Sequence, residues 1–224
     1  MQTVLIDFNE RVEEIEEYFT FLDRLIQHEL EIVQSQDRTQ VLILEDRLAK
    51  TLKANGFLLL YNLVESSMRN AVEEIFSELH TRQVSFDQIS VGLRKVILQN
   101  LKNSSVDKLH SQISHIAVDI INISFSSEEL FSGNIDRRKI TEIARQYGFS
   151  DDTDYEKTKH GKNLVIIKSK RNDLAHGNKS FGEVGRDVSI RELIQYKNET
   201  IEYMRAILQN IEEYLTDQQY LDSR

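Results

Sequence analysis

Apolar residues recur along most of the chain at spacings of three and four, the pattern of helices that each bury one face. Phe8, Val12, Ile15, Phe19, Leu22 and Ile26 form the first stripe, and Glu13, Glu14, Glu16 and Glu17 fall on its solvated side. The polar stretch "QSQDRTQ" (34–40) predicts a break. A longer helix is expected from Asp46 to His80, on the stripe Val64, Met68, Ala71, Ile75 and Leu79. Gly56 interrupts it and predicts a bend, because glycine weakens a helix interior by about 1 kcal/mol. Ser85 and Gln88 have the spacing of a capping box, with Phe86, Ile89, Leu93 and Val96 following at helical intervals. Leu109, Ile113, Ile116 and Ile120 predict a further helix. Asp136 is placed to cap a short one ending at Tyr147, and Gly148 to take the left-handed position beyond it. After the acidic loop "DDTDYE" (151–156), a helix from Lys162 ends at His176, with Gly177 just past it. The last helix, Ile190 to Leu215, carries Leu193, Tyr196, Ile201, Met204, Leu208 and Ile211.

Strand patterning is weak by comparison. The run "VLIL" (41–44) is the one strand candidate, and it reads better as the start of the long helix. The expected fold class is all-α, as one domain over 1–224 with 1–40 an N-terminal helical extension and 84–150 inserted helices. The absence of Pro agrees, since proline breaks helices by removing an N–H and clashing with the preceding turn. The absence of Cys excludes disulfides, thiolate metal sites and Cys nucleophiles, and fits a reducing compartment. The opening "MQTVLIDFNERVEEIEEYF" turns acidic too soon for a signal peptide, and no apolar run approaches the roughly 18 residues that span a bilayer. A cytoplasmic protein with no membrane partner is expected.

A net charge of −9 argues against a generic nucleic-acid coat, so any nucleic-acid role must rest on a local patch. One stretch qualifies. From Lys157 to Arg171 there are six Lys or Arg residues and His160, with no Asp or Glu. A solvated helix start would also look like this, and what changes the picture is where the run ends. On an ideal helix Leu164, Ile167, Leu174 and Ala175 lie within about 60° of Arg171, which places a guanidinium in the middle of an apolar stripe. Such a charge is costly unless it is paired or reaches a polar cavity. Glu65 is the partner on offer, because Leu58, Tyr61, Val72 and Phe76 flank it on its own helix. A structural bridge and an Arg oriented by Glu65 toward an anion both fit.

His176 falls five residues on, about 140° round the helix from Arg171, so one helix gives the pair poor mutual geometry. They can converge if the Arg extends along the surface, if the last turn unwinds at Gly177, or if a second copy supplies the partner. A protonatable imidazole beside a fixed cation suits proton transfer on a phosphodiester, and an ordinary C-terminal cap is the plainer use of the same residue.

The motif "RNDLAH" (171–176) resembles the Arg-x4-His form of the HEPN superfamily, the higher eukaryote and prokaryote nucleotide-binding helical domains. "LKANGFLLLYNLVESSMRNAVEEIF" (52–76) resembles the second helix of one prokaryotic branch, and "KRNDLAHGNKSFGEVGRDVSIREL" (170–193) its motif and following segment. The resemblance implies a helical bundle with long antiparallel helices and inserted ones. It implies a metal-independent ribonuclease, a toxin or antiviral effector, that works as a homodimer with both motifs around one cleft. Arg171 would then hold the scissile phosphate, and His176 would act as general acid or base while the RNA 2′-hydroxyl attacks to leave a 2′,3′-cyclic phosphate. Asn172, with Asp173 and Glu65, would support the site; Lys162, Lys168, Lys170 and Lys179 would contact RNA. No cofactor or metal is implied, and a neighbouring antitoxin protein or nucleotidyltransferase is the partner class. The alternative within the superfamily is a non-catalytic module that binds RNA, nucleotide or a partner protein.

Other signals are weaker. "ITEIARQYGFS" (140–150) resembles half of a helix-turn-helix, but its recognition helix would fall on carboxylates. His110 with His115, and His28 with Glu31, lack the spacing or number of ligands for a metal. Residues 178–185 read as a polar, Gly-rich connection without the glycine spacing of a phosphate-binding loop.

Overall fold

The computed structural model describes residues 1–27, 32–33, 41–42, 44–103 and 134–222. The helix expected on Leu109 to Ile120, the break at 34–40, and the His28–Glu31 and His110–His115 pairs lie outside them. Among the described residues the chain is all-α apart from one small ladder. The helices are α1 (Gln2–Gln27), α2 (Asp46–Thr81), α3 (Val91–Asn103), α4 (Arg137–Tyr147), α5 (Tyr155–Thr158), α6 (Leu164–Ala175), α7 (Phe181–Arg186) and α8 (Ile190–Thr216). The ladder pairs β1 (Ile32–Val33) with β2 (Val41–Leu42), antiparallel, Ile32 opposite Leu42 and Val33 opposite Val41. The expectation that 41–44 begins the long helix is thus corrected. Val33 and Val41 are β-branched and favour the extended state, and α2 starts at Asp46.

The described residues gather into two compact groups. The first is built on Ile6–Val64 and Tyr155–Tyr203. Here Phe8, Ile15, Phe19 and Leu22 of α1 are buried as the periodicity requires, while Val12 and Ile26 are half-buried and Leu25 completes the face. Glu16 leaves the acidic side to ion-pair with Lys197, which is buried on α8. The Tyr18 phenol donates to the Leu52 carbonyl at 2.6 Å, and burial pushes its pKa up to about 12. Helix α2 runs unbroken through Gly56. That glycine serves close approach: a Cβ there would lie 3.0 Å from Leu193 and 3.2 Å from Phe19.

The second group is built on Met1–Leu5, Glu65–Asp154 and Met204–Arg224. Met68, Ala71, Ile75 and Leu79 of α2 and Met204, Leu208 and Ile211 of α8 are fully buried. Each large side chain contributes about 1.5–3 kcal/mol on leaving water. Asp136 caps α4 by accepting from the Lys139 amide at 3.1 Å, and Gly148 ends it at φ +96 with its amide on the Ala144 carbonyl. The box at Ser85 forms in part: Gln88 accepts from the Ser85 amide, yet only a turn follows over 86–88 and α3 begins at Val91, where Ser90 accepts from the Leu93 amide. Ile89 instead bridges to Leu221 near the chain end.

Candidate functional site

Helix α6 positions the expected motif. Leu164 and Ile167 anchor it in the core of the first group, and the side chain of Asn163 just before it donates to buried Glu199 on α8. The stripe stops earlier than expected, since Leu174 is half-buried and Ala175 exposed. Arg171 accordingly stands half-buried at the edge of the core rather than in its middle. Its guanidinium carbon lies 4.5 Å from the ring centroid of Tyr61 on α2, and Nη1 donates to Asn172 Oδ1 at 3.0 Å. Tyr61 is 4 % exposed, so the cation rests on a ring already desolvated, where such contacts are worth about 1–2 kcal/mol.

The end of α6 is closed rather than unwound. The Asn178 amide donates to the Asp173 carbonyl at 2.9 Å and the Gly177 amide to that of Leu174 at 3.2 Å, with Gly177 at φ +68. This is a Schellman motif, and it fixes His176 as the C-cap residue just past Ala175, exposed, at φ −92. The helix stays regular through Ala175, so within one chain Arg171 and His176 still leave it about 140° apart. Val165, Ser169 and His176 share one face within about 40°, and all three are exposed, as is Lys162 ahead of the helix. Val165 (42 %) is a large apolar side chain on that face, and Ile166 (36 %) is another about 100° round the helix from it.

The remaining expected residues are distributed around this turn. Asp173 pairs with Lys179 at 3.2 Å, across the reversal that the Schellman bonds create. Lys170 pairs with Asp187 at 3.6 Å. Lys162 is exposed and Lys168 half-buried. Glu65 is ion-paired with Arg69 one turn along α2, at 3.0 Å.

Three features are not evident from the sequence pattern. Tyr61 enters that pattern only as a neighbour of Glu65. Residues 178–185 include α7, whose Ser180–Glu183 capping box is complete, and Gly185 of α7 is buried so tightly that a Cβ would fall 1.8 Å from the Lys50 carbonyl oxygen. The backbone and hydroxyl bonds from Ser180 hold the Glu183 carboxyl below the usual carboxylate range. Ahead of α6, Lys159, His160 and Gly161 are consecutively left-handed, a conformation costing roughly 1–2 kcal/mol for a residue with a Cβ. The "DDTDYEK" stretch is a loop and the single turn α5, not a recognition helix. A cleft of about 700 Å³ lined by Arg82, Asp87, Gln88, Tyr220 and others belongs to the second group and holds none of the expected residues.

Residues 1–220 match the model of the HEPN_MAE_28990-like HEPN family. The chain belongs to that family. Neither the curated proteins nor the solved structures yield a match to this HEPN chain. Among its described residues no helix is long and apolar enough to cross a membrane.

Proposed function

We propose that this HEPN chain is a metal-independent RNA endonuclease that works as a homodimer, a toxin or antiviral-defence effector acting on RNA in the cytoplasm. One observation carries the reading. A guanidinium is steadied by a buried ring and an Asn side chain five residues before an exposed imidazole, at the closed end of a helix in a HEPN chain.

In the proposed reaction the ribose 2′-hydroxyl attacks the adjacent phosphorus and the bond to the 5′-oxygen breaks. The products are a 2′,3′-cyclic phosphate and a 5′-hydroxyl. One proton leaves the 2′-oxygen and one reaches the 5′-oxygen, and His176 is the group suited to carry a proton at either place. Arg171 offers a planar fork to the non-bridging oxygens and stabilises the charge that builds on them. Asn172 fixes one end of that fork, and Glu65 is assigned a supporting role from α2. Lys162 and Lys168 contact the RNA backbone, while Lys170 and Lys179 exchange Asp187 and Asp173 for phosphate. The dimer removes the 140° problem, because two copies of α6 bring four groups to one cleft; the exposed apolar Val165, on the His176 face, supports a second copy there. A neighbouring antitoxin protein or nucleotidyltransferase would restrain it.

The test is end-mapping of cellular RNA incubated with the purified chain in chelator. Expected are cyclic-phosphate ends that disappear with His176→Ala while circular dichroism is unchanged. Equal cleavage by parent and variant would overturn the mechanism. RNA bound but never cut would assign the chain to the non-catalytic HEPN modules that bind RNA, nucleotide or a partner protein.

A further inference from the structure

We propose that Tyr155, flanked by Lys159 and His160, is a stacking platform for an unpaired base of the RNA; this rests on the ribonuclease reading above. The starting point is the strained turn between α5 and α6. Lys159 (φ +46) and His160 (φ +49) carry side chains in a region that favours glycine, and Gly161 follows at φ +68. The turn is held from three sides. The His160 amide donates to Thr158 Oγ1 at 3.0 Å, and the Lys162 amide to the Lys159 carbonyl at 3.2 Å. Gly161 lies so close to the Tyr203 ring that a Cβ would come within 2.9 Å of it.

What the turn achieves is to fold two side chains back onto Tyr155. Lys159 Nζ sits 4.7 Å from the ring centroid, and the His160 ring is 5.3 Å away at a 56° tilt. Tyr155 is nevertheless 56 % exposed, which leaves room for a flat aromatic ligand. Strain kept at the surface to assemble an aromatic ring, a cation and an imidazole points to recognition rather than to core packing. Glu156 pairs with Lys159 at 3.1 Å, so the cluster carries little surplus charge and binds by stacking more than by attraction for phosphate. Helix α6 is 12 residues, about 18 Å long, with the platform at its start and His176 at its end. A single strand lying along α6, past Lys162 and Lys168, reaches both. Stacking needs an unstacked base, so the site selects single-stranded RNA over duplex.

The experiment uses the full chain carrying His176→Ala and fluorescence anisotropy with a short single-stranded RNA of mixed sequence, beside a blunt duplex of that sequence. Tyr155→Ala is expected to weaken single-strand binding about fivefold or more (~1 kcal/mol) and to leave duplex binding alone. Tyr155→Phe restores the single-strand affinity and Tyr155→Leu does not. The Tyr155→Ala factor stays the same as salt is raised, whereas that of Lys162→Ala shrinks. Single-strand binding by Tyr155→Ala within twofold of its parent overturns the platform, as does a Leu variant equal to Phe. A wild-type chain that neither cuts nor binds any RNA sinks the ribonuclease reading itself, and the platform with it.

Discussion

At Arg171 the guanidinium carbon lies 4.5 Å from the centroid of the buried Tyr61 ring, and Nη1 donates to Asn172 Oδ1. The angular distance of Arg171 from His176 follows from helical spacing, whereas the apolar stripe around it stops short at half-buried Leu174 and exposed Ala175. The ring beneath it does not follow from spacing, because Tyr61 and Arg171 are far apart in sequence and only packing brings α2 against α6. The stacked guanidinium predicts that Arg171→Lys, which keeps the charge, loses both the ring contact and the planar fork. Its cleavage rate should fall at least about tenfold, the loss of about one charge-assisted hydrogen bond, with the thermal midpoint little changed. A Lys variant cleaving at the parental rate would show that only charge matters there. Glycines give a second contrast at this scale. Gly177 has φ +68, and nothing stands within 4 Å of where its Cβ would fall. Gly177→Ala should therefore cost only the left-handed conformation, about 1–2 kcal/mol, and Asn should cost less than Ala. At Gly185 the Lys50 carbonyl occupies the space itself, and Gly185→Ala should cost more than Gly177→Ala, because α7 must move off α2. Denaturant titration of the two variants checks the order, and the reverse order would refute this account of the two turns. Gly177 was legible because helix ends have a local rule; Gly185 was not, because its partner is remote in sequence.

Helical elements were legible where one face is buried and one solvated. The boundaries of α2, α4 and α8 fall within a residue or two of those expected from their stripes and caps. Short elements held by caps were not, although Ser180–Glu183 and Ser189–Glu192 have the same spacing as Ser85–Gln88. The local pair alone does not tell whether a helix follows: after Ser85 come turns, after Ser180 a helix of six residues, after Ser189 one of twenty-seven. Both working boxes have a pH signature. Bonds from Ser180 lower the Glu183 pKa, and bonds from Ser189 lower that of Glu192. A carboxylate whose folded value is depressed adds stability above its unfolded value, and loses it as pH falls through the folded one. The stability gap between the parent and Glu183→Gln, which removes the titrating carboxyl, should therefore be full at neutral pH and shrink on acidification below the ordinary Glu range. Denaturant midpoints measured for both across that range decide it, and a gap that stays constant with pH would mean that the Glu183 carboxylate is not what the cap holds.

At the scale of the whole molecule, charge and assembly pull in opposite directions. Each chain carries nine surplus negative charges, so two copies repel at long range, and RNA is repelled on average by the same field, against which the basic run works locally. Salt screens both effects with a Debye length of about 10 Å at 0.1 M. Self-association of the proposed dimer should tighten as salt rises, because the contact face proposed for it holds the exposed apolar Val165 and repulsion is what salt removes. RNA binding through Lys162 and Lys168 should weaken over the same range, because counterions compete for phosphate. Cleavage at protein concentrations near the dimer dissociation constant is then expected to pass through a maximum in salt. Well above that constant it should only decline. Val165→Asp separates the two terms. Val165 is exposed, so the monomer fold tolerates the change, but a carboxylate on this face faces its own copy across the proposed two-fold axis and lies on the His176 side of α6. Sedimentation should show the variant as a monomer of 26.2 kDa with parental helicity and without cleavage. Raising salt should bring back part of the dimer and part of the activity together. If Val165→Asp stays dimeric and active at low salt, the second copy does not sit on this face, and the convergence of the two motifs has to be sought elsewhere on the chain.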